Sequence, residues 1–240
     1  MRAIFTILIS SSFIFANSLV YKVYAPLFGE VGKIEVNYNN TSKNYNISAF
    51  VQTYGFAKKL SGNRVEKYKA NGFISNNIYK AKHFVQDVSY KDKKSHLEYI
   101  FDYKAKKIYK IRQKYKKNKE VTNYKKALKY FTYNDLFSVY HNIIATLKDK
   151  PAGHYRVKVA GMERYGGYLS IKIPSKAVQK KEAKSMGLKS VWIFHIVTNK
   201  KILGSKNGEI IFGVGSNGIA KGVRVLDIPF VSHLDAKLVR

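Results

Sequence analysis

Alternation with a period of two runs through most of this 240-residue chain. In "GKIEVNYNN" Ile34, Val36 and Tyr38 fall on one side, and in "NYNISAFVQTYG" Tyr45, Ile47 and Ala49 do the same. Side chains of a strand point alternately to its two faces, so each such segment has one face to bury and one to wet. The pattern opens at "LVYKVYAP" and resumes after residue 152 in "HYRVKVAG", "YGGYLSIKI", "KSVWIFHIVT", "GEIIFGVG", "IAKGVRVLDI" and "FVSHLDAKLV". "RVEKYKANGFISNNIYKAKHFVQDVSY" reads as two strands about a turn at Asn71-Gly72, and "SHLEYIFDY" with "KIYKIRQKY" as a hairpin about Lys104–Lys107. Gly, Asn and Lys-rich turns at these spacings predict about eleven strands in a sandwich or barrel.

One segment changes period. In "DLFSVYHNIIATL" the apolar positions are 136, 139, 140, 143, 144 and 147, the stripe of an amphipathic helix over 134–147. Thr132 with Asp135 three residues on gives a start signal, and Lys148, Lys150 and Pro151 end it. "KAVQKKEAKSMG" at 176–187 has a weaker stripe and reads as a short helix or a loop. A lone helix among antiparallel strands must bury its stripe on the concave side of a sheet. The predicted fold is therefore mainly β: a strongly curved antiparallel sheet or half-open β-barrel enclosing one amphipathic α-helix. No repeat or linker divides residues 19–240, which read as a single β-rich domain.

The first 18 residues, "MRAIFTILISSSFIFANS", combine Arg2, an apolar run from Ala3 to Ala16 and a small-x-small site at Ala16-Asn17-Ser18. That is the layout of a secretory signal peptide, so the chain is expected to be exported, with the periplasm as its compartment. The alternative is an uncleaved N-terminal inner-membrane anchor. The chain has no Cys, so its stability comes from packing rather than disulfides, and thiol chemistry is excluded. The formal net charge is +29, mostly from Lys. Lys, Asn, Tyr, Ile and Phe are what AT-rich codons encode, so codon bias can account for part of it. A field of this sign still favours anionic partners such as phospholipid headgroups, glycolipids or a membrane surface.

The stretch "YKIRQKYKKNKEVTNYKKALKYF" at 109–131 poses the charge question most sharply. Tyr109, Ile111, Gln113 and Tyr115 share one strand face and Lys110, Arg112, Lys114 and Lys116 the other. The expectation is rings inward and cations outward, with "KKNKEVTNYKK" as a solvated crossing. Base stacking needs exposed rings beside cations, so no nucleic-acid partner is expected. "GVGSNG" at 213–218 fits G-x-G-x-x-G but precedes a strand-like run, so it reads as a turn rather than a dinucleotide loop. The six His show no metal-ligand spacing; His141 is expected at the helix rim and His195 on a polar strand face. Ser216 lacks the nucleophile-elbow glycine, and the carboxylates are dispersed. No catalytic residue, metal or cofactor is predicted.

The order of landmarks resembles an exported bacterial family, domain of unknown function 3108. The resemblance is carried by "YKVYAPLFGEVGKIEV" with Gly29 and Gly32, "YNISAFVQTYGFAKKL" with Gly55, and "NGFISNNIYKAKHF". Asp135, Leu136 and Ser138 in "YNDLFSVYHNI", then "GSNGIAKGVRV" and "SHLDAKLV", complete it. Asn76 or Asn77, and Ala220 or Lys221, stand where that family often has Pro. The resemblance implies a periplasmic all-β protein and transfers no catalytic residue. By shape it is similar to the half-barrels of periplasmic lipoprotein carriers.

The leading expectation is a non-catalytic envelope protein that binds an apolar or lipid-like ligand between helix and sheet. Leu136, Val139, Tyr140, Ile143 and Trp192 would line the site, and the cations of residues 110–116 would meet anionic headgroups. The second reading is a structural protein docking on an anionic envelope partner. The third is a hydrolase assembled from distant residues.

Overall fold

A computed structural model describes residues 15–197, 208–228 and 231–239. Residues 1–14 of the predicted signal segment lie outside the described residues, as do Thr198 and Phe230 at the ends of two predicted strands. Fourteen described strands form one antiparallel sheet. The first eight are β1 (Phe15–Ala25), β2 (Gly29–Asn40), β3 (Asn44–Thr53), β4 (Val65–Ser75), β5 (Ile78–Tyr90), β6 (Lys93–Asp102), β7 (Lys107–Lys116) and β8 (Lys119–Ala127). The other six are β9 (Gly153–Lys158), β10 (Tyr168–Ile173), β11 (Trp192–Val197), β12 (Glu209–Val214), β13 (Ala220–Ile228) and β14 (Ser232–Leu238). The order is β8-β7-β6-β5-β4-β3-β2-β1-β14-β13-β12-β11-β10-β9. Two meanders are thus joined where the first strand meets the last, and the sheet's edges are β8 and β9.

The turns follow side-chain tolerance of positive φ. Asn76 and Asn77 (φ 51° and 60°) turn β4 into β5, and Lys117 and Asn118 (φ 50° and 60°) turn β7 into β8. The expected turn at Asn71-Gly72 is instead a bulge inside β4. A Cβ on Gly72 would run into the Lys80 carbonyl oxygen and the Tyr45 ring, so glycine serves close approach there rather than reversal. The hairpin about Lys104–Lys107 is present as expected. The "KKNKEVTNYKK" crossing is in fact the hairpin turn and β8, an exposed edge strand whose cations protect it from edge-to-edge pairing. The GVGSNG turn connects β12 to β13, with Gly218 at φ 76°.

Three helices complete the fold: α1 (Gly55–Ser61), α2 (Leu136–Leu147) and α3 (Lys176–Ser185). The sequence pattern did not predict α1, whose seven residues are too few for a stripe. α3 covers the outer face of β11–β13 over Met186, Ile193 and Ile211, so the weak 176–187 stripe is a helix. α2 lies on the inner face, and its residues belong to both large core clusters. Val139, Ile143 and Leu147 pack with Ile171, Phe194 and Val214, while Phe137 packs with the Tyr45, Phe84, Tyr99 and Ile108 group.

The edges β8 and β9 do not pair; the segments that follow each of them, 128–135 and 159–163, fill the gap. Ala160 N donates to Asn134 O (2.8 Å), Tyr130 Oη to Val159 O (2.8 Å) and Thr132 Oγ1 to Lys158 O (2.8 Å). Across the same gap Lys110 Nζ donates to Glu163 Oε1 (2.7 Å), which also accepts from Tyr99 Oη (3.0 Å). Burial pushes the Glu163 carboxyl up, but the Lys110 bond and charge outweigh it and leave it below its usual value. Removing one member strands a charge in a dry site. Glu163→Gln is expected to cost about 3 kcal/mol in urea unfolding, and Lys110→Met with Glu163→Gln to recover most of it. Equal losses in the single and double variants would show that the ion pair does not bridge the gap.

Candidate functional site

α2 is fixed at its start by Asp135 rather than Thr132. Asp135 Oδ1 accepts from Phe137 N (2.8 Å) and Ser138 N (2.7 Å), and Asp135 N donates to Ser138 Oγ (2.7 Å). This reciprocal capping box satisfies three polar groups inside the barrel. Asn142 sutures the helix to β5: its Oδ1 accepts from Tyr79 N and its Nδ2 donates to Tyr79 O, both at 2.8 Å. The buried face is therefore Ser138, Val139, Asn142, Ile143 and Leu147, rotated from the predicted stripe. Leu136, expected inside, is 44% exposed. Val139 and Ile143 are sealed in the core, while Tyr140 and Trp192 are half-buried and pack against the same cluster. Tyr140 Oη donates to Gly218 O (2.9 Å), and Trp192 lies 4.8 Å from the Phe194 ring.

His141 is not at the rim. It stacks on Tyr79 (4.3 Å, 10°) and meets Tyr38 and Tyr140 edge-on. Burial pushes its imidazole down to about 4, so the ring is neutral at pH 7. Burial of Asp135 outweighs its hydrogen bonds and pushes its carboxyl up to about 6. His195 is buried on the outer face, its Nδ1 2.7 Å from Glu209 Oε1 and its Nε2 2.9 Å from Glu182 Oε2, clamping α3 to the sheet. Arg224 forks onto Asp235 beside it (2.6 and 2.7 Å).

The cations of β7 are the main correction. They share one face as expected, but that face is the inner one. Ile108 is fully buried and Lys110 is 8% exposed, and Arg112 and Lys114 follow at alternate positions. Of these four only Lys116, at the strand's end, is exposed. Tyr109, Ile111 and Tyr115 look outward. Nor are rings and cations segregated: Lys125 lies 5.3 Å from the Tyr109 ring, Lys126 5.4 Å from Tyr124 and Lys110 5.5 Å from Tyr99.

Register places neighbours on this inner face in rows. Ile47, Ala70, Phe84, Tyr99 and Lys110 form a buried row across β3–β7. The next row, Tyr68, Gln86, Leu97, Arg112 and Tyr124, is half-buried and forms a floor across β4–β8. At strand spacing it spans roughly 19 Å. Phe137 of α2 stands over one end, its ring 6.3 Å from Tyr68. At that end Gln86 Nε2 donates to Tyr68 Oη (3.1 Å), and Glu66 pairs with Arg64 (2.6 Å). At the other end no carboxylate pairs with Arg112 among the described residues. Its Nε is buried without a hydrogen-bond acceptor. Its neighbour is Lys114, whose ammonium it holds below the usual range with help from burial. A guanidinium in this state can take a carboxylate or phosphate.

Among the described residues no cluster of His, Asp or Glu could hold a metal ion. No protein-family model matches the chain, so membership of the domain 3108 family is not shown. No curated protein matches it. Among solved structures it is similar to a beta-barrel-like protein of domain of unknown function DUF1849 from Brucella abortus, with TM-score 0.54 and 13% identity over 95% of this chain and 97% of that one. At that identity the likeness shows the fold: a mainly β, beta-barrel-like domain with an open antiparallel sheet.

Asp135, buried at the N-cap of α2, and His141, half-buried on the helix, oppose each other in pH. A raised carboxyl means the folded state holds the extra proton, so Asp135 makes stability fall as pH rises from about 4 to about 6. A lowered imidazole means the unfolded state holds it, so His141 makes stability rise with pH between about 4 and about 6.5. His141→Phe should expose the Asp135 slope, a fall of roughly 3 kcal/mol across that window, and Asp135→Asn the opposite slope. Urea midpoints at pH 4, 5, 6 and 7 measure both, and parallel profiles for the two variants would refute the assignment.

Proposed function

We propose that this protein is a non-catalytic protein of the cell envelope that holds an anionic amphiphile on the inner face of its N-terminal half-sheet. The observation that carries this reading is Arg112, whose Nε is buried without an acceptor beside Lys114 and which pairs with no carboxylate among the described residues. Leaving a buried donor unmade is costly, and an acidic headgroup would satisfy it with a charge-assisted bond. Leu97, Tyr68 and Phe137 along the same row offer the apolar contact that an acyl chain or ring needs. The sealed Val139 and Ile143 move the binding site away from the space beneath α2 and to this row. The N-terminal segment 1–18 would export the chain, and Lys116 would draw the headgroup to the mouth.

The closed α2 stripe also favours a second reading, a structural protein that docks its cationic surface on an anionic envelope partner. Ligand content separates the two. Native mass spectrometry of the protein purified from its host envelope, with solvent extraction of the released material, is expected to show one bound acidic lipid-like species. Arg112→Leu with Lys114→Leu should lose it at unchanged thermal stability. A ligand-free parent that takes up no acidic lipid would refute the binding reading, whereas salt-sensitive capture of an envelope polymer by that parent would support docking.

A further inference from the structure

Away from the concave face, three large apolar side chains stand in solvent where β1 turns into β2. Leu27 is 99% exposed, Phe28 44% and Phe56 54%. They come from two elements, the β1–β2 turn and the start of α1, yet the rings of Phe28 and Phe56 stack at 5.2 Å and 9°. The turn closes with Phe28 N donating to Ala25 O (3.2 Å), has Pro26 at its second position and Leu27 at its third with φ 68°. A turn with Pro second and positive φ third ordinarily takes Gly at the third place. Leucine there strains the backbone and covers no core. Strain held at an exposed position is a reason to look for function.

The surroundings say what would cover it. Lys58 and Lys59, exposed on α1, have no carboxylate partner among the described residues. The nearby acids are already engaged, Glu30 with Lys22 (2.9 Å) and Glu35 with Lys33. A cleft of about 340 Å³ beside α1 is lined by Gln52, Tyr54, Lys58, Asn63 and Arg64. Three side chains offer far less than the roughly 800 Å² per partner of a stable protein interface. Apolar groups beside unpaired ammonium groups suit the interface of an anionic bilayer, where rings enter the acyl boundary and lysines meet phosphates.

We propose that the Leu27–Phe28–Phe56 tip inserts into the interfacial layer of a membrane bearing anionic phospholipid, with Lys58 and Lys59 on its headgroups. Register adds a consequence. The tip occupies the sheet margin formed by the end of β3 and the start of β4, and the Arg112–Lys114 row opens toward that same margin. A membrane-docked protein therefore turns its concave mouth toward the lipid.

The test is co-sedimentation of the purified protein with vesicles of phosphatidylglycerol and phosphatidylcholine in equal parts, against pure phosphatidylcholine. The parent is expected to prefer the anionic vesicles. Phe28→Ser with Phe56→Ser should weaken binding by about tenfold or more. Lys58→Gln with Lys59→Gln should remove a preference of about fivefold per lysine. Leu27→Gly separates function from folding: relief of the positive φ leaves the melting temperature unchanged or raised, while vesicle affinity falls. Phe28→Trp in a Trp192→Phe background should show a blue-shifted emission on binding. A parent that ignores anionic vesicles, a Leu27→Gly protein that binds like the parent, or an unshifted Trp emission would each overturn the proposal. Arg112→Leu with Lys114→Leu should still bind vesicles, so this docking and the concave site can fail separately.

Discussion

The missing ladder between β8 and β9 governs this structure. Fourteen strands curve far enough to bring their two edges near each other, and the chain then spans the remaining gap with residues 128–135 and 159–163 instead of a strand pair. Backbone groups in a dry interior must find partners, and here they find them in side chains: Thr132, Tyr130 and Asn134 serve the β9 end, Asp135 serves the start of α2, and Asn142 serves Tyr79 of β5. α2 belongs to that repair. Its polar buried face, odd for a helix in a barrel, follows from the work of stitching two half-sheets.

The open gap also explains why the inner face is not uniformly apolar. Near α2 the rows are closed by Phe84, Tyr99 and Ile143; one row further along, Phe137 of α2 stands over the Tyr68 end of the floor and polar side chains appear toward the other. Lys110 sits at the transition, satisfied by Glu163 from across the gap. Arg112, one step outward, has no such partner among the described residues. The proposed concave site and the proposed membrane tip thus rest on different physics, an unmet hydrogen bond in one case and uncovered apolar surface in the other.

Much of this was legible in the chain. The period-two pattern identified nearly every strand, the hairpin about Lys104–Lys107 and the β12–β13 turn, because local alternation and turn residues agree with the final pairing. The α2 stripe was legible too, but not its rotation, since Ser138 and Asn142 are buried for hydrogen bonds that end on Tyr79 and on Asp135 itself. Alternation also divides a strand into two faces without saying which is inside. In β7 the aromatic set Tyr109 and Tyr115 outweighed Ile108, and the decisive group, Glu163, lies 53 residues further along the chain. His195 is similar: Glu182 and Glu209 reach it from a helix and a neighbouring strand. The Leu27 turn carried a local signal, Pro followed by Leu where Gly is usual, that strand patterning does not weigh.

The seam between β1 and β14 has a consequence for how the molecule comes into being. Tyr21 donates to the carbonyl of Ala220, 199 residues later, and its strand pairs with residues up to Leu238. Such distant contacts make closure slow, because a long loop must be ordered before any pairing rewards it. The first strand has only β2 for company until the ribosome has released the last. The β1–β14 seam at the centre of the finished sheet is therefore the last pairing to form, after the local hairpins of the two meanders it joins.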